Sequence, residues 1–588
     1  MNQLQQFFVG KRFVIPTYQR DYAWGLQQVQ DLVEDIAEAI QDDHSHYLGT
    51  IVLAKMKDES YEIVDGQQRI STLVLLMDAL LGQLDTDDHR RVATENIFVR
   101  DGSELRLDFG VNHEFVSDLL GPGNDADPAT AGQRNLQTNH RYCVERATEL
   151  CDSEGIDGVV VWLDKIKRLK IISFEEDDTG SAIRLFQTVN DRGLPLTTMD
   201  KSKALLVYYS NRFLDGSLDK TISEAFGRCF RAYDAIVEFV RQDGFRIDSI
   251  AREAFSDNEL MRYHYLSYAP PKSLKDLQYT DDYDGYMRTV FDGFLKGNLK
   301  TLNANGSAGN GYEDLKTFIE DYVEDLAGFC EAFRDFVIAS GKNERIYRLL
   351  VVLGLSVRLY PLAIRLFYRG LLDKVIPDLG VDLLECIEIS DLRVYKTRGT
   401  DPGRDVGDIS HQSRYVSPEI LANGLLDFLG RFASDGSFQA NLSQDVYGNR
   451  GLVHLLIARE EFRRGLAFSV SELRELNRAK MTREHILSQT PSCGFSDMGF
   501  DDLEDYDAHK NMIGNLTLLT QSENSYCSNR NPAEKLSDPS LYPKSVYRIT
   551  RELAHAYSQD RIRPTKDMVR ARSKELIEWA VGRWPLWE

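Results

Sequence analysis

Three short pieces near the C-terminal end of the chain carry the side chains that hydrolysis of a phosphodiester needs. They are Arg483-Glu484-His485-Ile486-Leu487-Ser488-Gln489, then Ile513-Gly514-Asn515-Leu516-Thr517-Leu518-Leu519, then Glu523-Asn524-Ser525. Cutting a phosphodiester at neutral pH takes a base to deprotonate water, a divalent ion to hold the scissile phosphate and the leaving oxygen, and ligands for that ion. His485 is the candidate base. Glu484 offers a hard oxygen donor to Mg²⁺ or Mn²⁺, and Asn524 a second, neutral one. Asn515 is expected to orient the imidazole from the adjacent strand, so that His485, Asn515 and Asn524 form the catalytic set and Glu484 and Asn524 the metal ligands. An apolar strand is expected after each of the first two pieces, and Ser522-Glu523-Asn524 reads as a helix start. The plain alternative is a surface Glu-His pair and a Gly-Asn turn. His509, just before Asn511, is open between a phosphate contact or a carboxylate partner and an ordinary exposed histidine.

The order β-β-α with Glu-His, Asn and Asn resembles the ββα-metal fold of HNH nucleases, many of which have Asp-His, Asn, Asn or three histidines instead. A second signature stands at the other end. Tyr61-Glu62-Ile63-Val64 runs into Asp65-Gly66-Gln67-Gln68-Arg69 and then Ile70-Ser71-Thr72-Leu73-Val74-Leu75-Leu76, which reads as strand, tight turn and helix. Gly66 permits the turn, and the free amides of the helix start form an anion site that Gln67, Gln68 and Arg69 extend with their own donors. Phosphate is the natural guest. Upstream, Ile15-Pro16-Thr17-Tyr18-Gln19-Arg20-Asp21-Tyr22-Ala23-Trp24 sets a guanidinium among aromatic rings, a combination that holds bases or sugars. The alternative is a turn in which Arg69 pairs with Asp21 or Asp65.

These residues, with Asn190-Asp191-Arg192-Gly193-Leu194-Pro195-Leu196 and Asp200-Lys201-Ser202-Lys203, resemble the DGQQR domain, a relative of the ParB and sulfiredoxin nucleotide-binding fold. The resemblance implies binding and hydrolysis of a nucleoside triphosphate, GTP or ATP, with Arg20, Asp65, Gly66, Gln67, Gln68, Arg69 and Asn190 as the nucleotide-binding residues. A DGQQR domain followed by a C-terminal HNH domain in one polypeptide is similar to the GmrSD family of type IV restriction enzymes. That likeness implies cleavage of double-stranded DNA with modified bases, hydroxymethylated or glucosylated cytosine first among them, in phage defence. Relatives with the same pair of domains sense phosphorothioate backbones, so the mark stays open. It also implies a homodimer that nucleotide dissociates. Two rivals stand beside it: an indiscriminate nuclease of abortive infection, and a nucleotide-gated DNA-binding protein that does not cut.

At 588 residues the chain is too long for one core. No apolar run reaches the length of a membrane span, the closest being Leu349 to Ile364, which reads as a buried helix broken near Pro361. The first residues lack the basic and apolar stretches of a signal peptide, which predicts a cytoplasmic protein. Seven cysteines stand singly and indicate neither disulfides nor a zinc ribbon, although Cys493 and Cys527 flank the HNH pieces. The net charge of −22 argues against a DNA-coating protein. Charge is uneven, however: Leu541 to Glu588 holds ten Lys or Arg against six Asp or Glu, and Lys165, Lys167, Arg168 and Lys170 cluster. Solvated helix faces explain both clusters equally well.

Regular elements must position these groups. Val29, Leu32, Val33, Ile36, Ala37 and Ile40 recur at helical spacing, while Tyr47 to Leu53 and Ile171 to Phe174 read as strands and Ala182 to Val189 as a helix. Gly121 to Pro128 is a loop, and helix resumes near Gln133. Beyond Lys201, helical segments dominate to about Arg464. Tyr263, Tyr265 and Tyr268 there read as core in preference to a flipped-base cage. The fold class is therefore α+β and predominantly helical: a ParB/sulfiredoxin-like α/β domain (1–205), a helical coupling domain (206–465) and a ββα-metal HNH domain (466–588).

Overall fold

β-branched and apolar runs bounded by polar turns form the N-terminal strands, and the sheet they build sets the turn that carries Asp65 to Arg69. In the computed structural model, which describes residues 2–586 except 17–20, 43–45, 57, 122–125, 178–180, 183–196, 253, 275–276, 278–281, 307–311 and 491–493, six strands make one mixed sheet. They are β1 (Asn2–Gln3), β2 (Phe13–Val14), β3 (Tyr47–Lys55), β4 (Tyr61–Asp65), β5 (Leu107–Asp108) and β6 (Lys170–Glu176), in the order β1-β6-β3-β4-β2-β5. β3 runs parallel to β6 and antiparallel to β4, and β2 lies parallel to both β4 and β5. The predicted strands at Tyr47, Tyr61 and Ile171 are all present. The helix expected from Ala182 to Val189 lies, from residue 183 on, outside the described residues, as do Arg20 and Asn190.

Helices cover this sheet. α1 (Leu26–Gln41) buries Val29, Leu32, Val33, Ile36 and Ala39, with Ala37 and Ile40 packed at the margin of the core. α2 (Gln67–Leu81) is buried on nearly every side from Ile70 onward, which explains why its sequence shows an apolar run and only weak amphipathicity. It packs against α3 (Ala131–Arg168), two helices fused across a bend at Gly155, which sits at φ 72°. Each fully buried Leu or Ile along α2 contributes about 1.5–3 kcal/mol, so the turn at its start is anchored to a deeply buried helix.

The chain divides into two compact units, residues 1–234, 270–280 and 287–327 in one, and 235–269, 281–286 and 328–588 in the other. Among the described residues the second unit is helical apart from two small hairpins. Tyr263, Tyr265 and Tyr268 are buried there, with Tyr263 stacked on Tyr360 at 5.5 Å. In the Leu349 to Ile364 run the break falls earlier than expected: Gly354 ends one helical stretch in a left-handed conformation, and Pro361 opens the next helix, Tyr360–Tyr368. Proline at a first helical turn loses nothing, because the amide it lacks has no partner there. No helix among the described residues is long and apolar enough to cross a membrane.

The second hairpin of this unit carries the C-terminal motif. β7 (Met481–His485) pairs antiparallel with β8 (Leu516–Thr520), setting Glu484 opposite Thr517 and His485 opposite Leu516. Around it stand α4 (Leu452–Arg464), α5 (Leu503–Lys510), α6 (Gln521–Cys527), α7 (Pro532–Ser537), α8 (Arg548–Ser558) and α9 (Lys566–Arg583). Glu484 and His485 thus end the first strand, where a strand following them was expected. The following Ile486 and Leu487 enter a core with Tyr506, Leu519, Leu536, Tyr542 and Val569. The cap of α6 lies two residues earlier than read, at Thr520 in place of Ser522, in a reciprocal box with Glu523.

Candidate active site and nucleotide loop

At the β4–α2 turn, Gly66 sits at φ 95°, and a Cβ there would meet Ile51 Cγ1 at 3.0 Å, so the turn needs glycine twice over. No side chain caps the first turn of α2, leaving its amides to an incoming anion. Arg69 folds back over Gly49 (φ 116°), where a Cβ would collide with its guanidinium. It donates to Leu48 O at 3.1 Å and faces Asp65 at 3.6 Å. Burial pushes the Asp65 carboxyl up, with Arg69 pulling against it. Arg69 therefore pairs with Asp65, as one of the two alternatives had it.

The two glutamines of the turn part ways. Gln68 Oε1 accepts from the amides of Ala23 (2.9 Å) and Trp24 (3.2 Å), so its amide holds the upstream segment instead of reaching for a ligand. The same segment is tied down by Asp21, which accepts from Asn112 Nδ2 (2.5 Å) and Thr130 Oγ1 (3.0 Å), and by the Tyr22 hydroxyl between Thr72 and Asn139. Burial pushes that hydroxyl up to about 12. Gln67 Oε1, in contrast, is buried without a hydrogen-bond partner among the described residues. It lines a cavity of about 20 Å³ with Asp21, Ser71 and Asn112, room for about one water. Lys203, to which the sequence assigned no role, is buried near Glu62 and Asp200, and burial lowers its pKa to about 7.

In the second unit, successive residues of β7 face opposite sides of the hairpin. Asn524 Nδ2 donates to Thr482 Oγ1 (2.9 Å) and Arg483 O (3.2 Å), which puts Asn524 on the side of Thr482 and Glu484. Glu484 Oε1 accepts from Lys535 Nζ at 2.7 Å and from the Tyr542 hydroxyl at 3.1 Å. Glu484 and Lys535 are 6 % and 1 % exposed, so the pair is almost fully withdrawn from water. Burial pushes the Glu484 carboxyl up, and Lys535 pulls it back. The two oxygen donors fit the type that Mg²⁺ takes, and Mg²⁺ is commonly held by one or two protein oxygens with water and phosphate completing its shell. An ion held there would share Glu484 with Lys535. Among the described residues no three His, Cys, Asp or Glu side chains group to hold a metal.

His485, the last residue of β7, has different neighbours. Its Nε2 stands 2.9 Å from Asn511 Oδ1, and the Tyr447 ring covers it at 4.4 Å between centroids. Burial lowers its pKa, with Asn511 pulling against it and Lys535 and Lys510 adding to it, which favours the neutral imidazole that a base requires. Asn515 does not orient it. Its amide instead accepts from Leu487 N (2.7 Å) and donates to Leu487 O and Lys510 O, clamping the turn after β7. The reason is position: Asn515 precedes β8 and is fully buried beneath the loop, whereas Asn511 ends α5 on the imidazole side. Gly514 allows this packing, because a Cβ there would come within 2.0 Å of Val569 O on α9. His509 takes the carboxylate alternative, bonding Asp505 O at 2.8 Å and facing its carboxylate at 3.4 Å. Cys527 is a buried thiol, and Cys493 lies outside the described residues. Asn511, Tyr447 and Lys535 escaped the sequence reading; the one signal for Asn511 was its place just ahead of Ile513-Gly514-Asn515.

Comparison with protein families gives two matches. The model of the GmrSD restriction endonuclease N-terminal domain matches residues 4–207, and that of the C-terminal domain of GmrSD restriction endonucleases matches residues 433–579. No curated protein matches the chain.

Proposed function

Because the chain belongs to the GmrSD family of restriction endonucleases, we propose that it is a type IV enzyme cutting double-stranded DNA with modified bases in phage defence. Hydroxymethylated or glucosylated cytosine is the first substrate to try. The observation that carries this reading is the β7–β8–α6 unit, which brings a buried His485 and the oxygens of Glu484 and Asn524 into one small element. In this reading His485 takes the proton of the attacking water, and Asn511 and Tyr447 hold its ring in place. Mg²⁺ or Mn²⁺ bound by Glu484 and Asn524 would hold the scissile phosphate and neutralise charge on the leaving oxygen.

The β4–α2 turn is the proposed nucleotide site, with phosphate oxygens on the first-turn amides of α2 and the side-chain NH₂ of Gln67 as a further donor. A nucleotide that favours one arrangement of the protein over another would shift that equilibrium and so regulate cutting. Light scattering with and without GTP or ATP tests the homodimer that belongs to the same reading.

The deciding experiment is digestion of matched DNAs, unmodified, hydroxymethylated, glucosylated and phosphorothioated, with Mg²⁺ and with or without nucleotide. Cutting confined to modified DNA, and reduced on the order of a hundredfold or more in His485→Ala, supports the proposal. Equal cutting of every DNA would replace it with an indiscriminate nuclease, and unimpaired cutting by His485→Ala would remove the base assignment.

A further inference from the structure

The loop ahead of α4 reaches the imidazole of β7. Asp445 Oδ2 accepts from Asn511 Nδ2 at 2.8 Å, and Asn511 Oδ1 faces His485 Nε2 at 2.9 Å. Asp445 Oδ1 accepts from the Tyr447 amide at 3.0 Å, which shapes the turn that lays the Tyr447 ring on the imidazole. Arg483, next to His485, pins the same loop: its guanidinium bonds Tyr447 O and Asn449 O and sits 5.0 Å from the centre of the Tyr447 ring. The Val446 amide donates to Asn511 O at 3.1 Å.

The polarity of this chain of bonds has one solution. A carboxylate only accepts, so Asp445 turns the NH₂ of Asn511 toward itself and the amide oxygen toward His485. An amide oxygen also only accepts, so Nε2 must carry the imidazole proton. In a neutral imidazole the other nitrogen is then bare, and Nδ1 has no hydrogen-bond partner among the described residues. The reversed amide would set its oxygen against the Asp445 carboxylate.

We propose that Asp445 is a positioning residue that, through Asn511, fixes His485 in the Nε2–H tautomer and so makes Nδ1 the atom that accepts the proton of water. This rests on His485 being the base. In the step it serves, a water O–H bond breaks and its proton moves to Nδ1 while the oxygen bonds to phosphorus. The bond from phosphorus to the leaving sugar oxygen breaks, and that oxygen takes a proton from solvent. The resulting imidazolium keeps Nε2–H on Asn511. The segment that supplies this control lies ahead of residue 466, where the sequence places the start of the nuclease domain.

The test uses full-length protein labelled with ¹⁵N in the histidine ring, the His485 signal being identified by its loss in His485→Gln. The wild type should show a protonated Nε2 and a bare Nδ1. Asp445→Asn frees the Asn511 amide to turn over, so the His485 signals should move toward a tautomer mixture and the single-turnover rate on glucosylated phage DNA should fall about a hundredfold. The double variant Asp445→Asn/Asn511→Asp reverses donor and acceptor between the two positions yet still presents an acceptor to Nε2–H. It should regain both the signal and most of the rate, which a merely structural role would not produce. A wild-type Nδ1–H tautomer, or unchanged signals in Asp445→Asn, overturns the inference. Failure of the base reading looks different: His485→Gln would keep cutting while the tautomer stays as stated.

Discussion

At the scale of single residues, the site turns on which charges are buried and with whom. Glu484 and Lys535 form an almost fully buried pair, and removing one partner of such a pair strands the other. Lys535→Met should therefore lower stability by about 3–5 kcal/mol in EDTA. If Glu484 is a metal ligand, millimolar Mg²⁺ should restore much of that loss in thermal unfolding, while leaving the wild type nearly unmoved. No recovery with Mg²⁺ or Mn²⁺ would remove Glu484 from the ligand set. Gln67 poses the reverse case. Its carbonyl oxygen has no partner among the described residues, so Gln67→Met should cost little stability, yet it removes the side-chain NH₂ donor and should weaken nucleotide binding, read by fluorescent nucleotide titration. Unaltered nucleotide affinity would count against the turn as the binding site.

At the scale of elements, a two-residue period decides the chemistry. Because β7 pairs with β8 in fixed register, Glu484 turns to Lys535 and Tyr542 while His485 turns to Asn511 and Tyr447. The loop between the strands is then held by Asn515 and by the close approach of α9 over Gly514. Gly514→Ala puts a methyl group against the Val569 carbonyl and should cost about 1–3 kcal/mol in urea unfolding. Cutting should suffer too, since Asn515 O receives the Ile486 amide at 2.8 Å, right behind His485. A Gly514→Ala protein of normal stability would mean that α9 can shift without loss. The strand, turn and helix at Asp65 were legible from the sequence because each is local: a β-branched run, a glycine and an apolar helix. The roles of Gln67 and Gln68 were not, since adjacent residues at a helix start point apart and only the packed segment at Ala23 and Trp24 shows which amide is taken.

At the scale of the molecule, the last helix is locked to its unit by a buried polar knot. Glu388 accepts from Trp584 Nε1 at 2.7 Å and meets His454 Nε2 at 3.0 Å, while Arg393 donates to Trp584 O. Burial pushes the Glu388 carboxyl up, but His454 and Trp584 outweigh it and hold it down to about 2. A carboxyl depressed from an ordinary 4.5 stabilises the fold fully above that value, and the contribution fades as pH falls toward 2. Glu388→Gln should thus be less stable than wild type at pH 7, with the gap closing between pH 4.5 and 2 in urea titrations. A gap independent of pH would assign the loss to packing instead. The net charge of −22 has its own consequence at this scale: DNA is held only where cations gather locally, so binding should weaken with added salt.

The sequence by itself determined which candidate groups are present and their order along the chain. The Asp65 turn, the Glu484-His485 pair and the helix with Asn524 are each written within a few residues, where periodicity and capping speak directly. It also determined the predominantly helical α+β class. Only the tertiary structure decided what each group touches. His485 is oriented by Asn511, 26 residues away, and Asn511 by Asp445, a further 66, across loops whose closure no local pattern records. Glu484 likewise meets Lys535 because α7 folds back beneath β7. Side chains far apart in sequence become neighbours only when the core has fixed the backbone, and the polarity of a hydrogen-bonded chain exists only once all its members are in place.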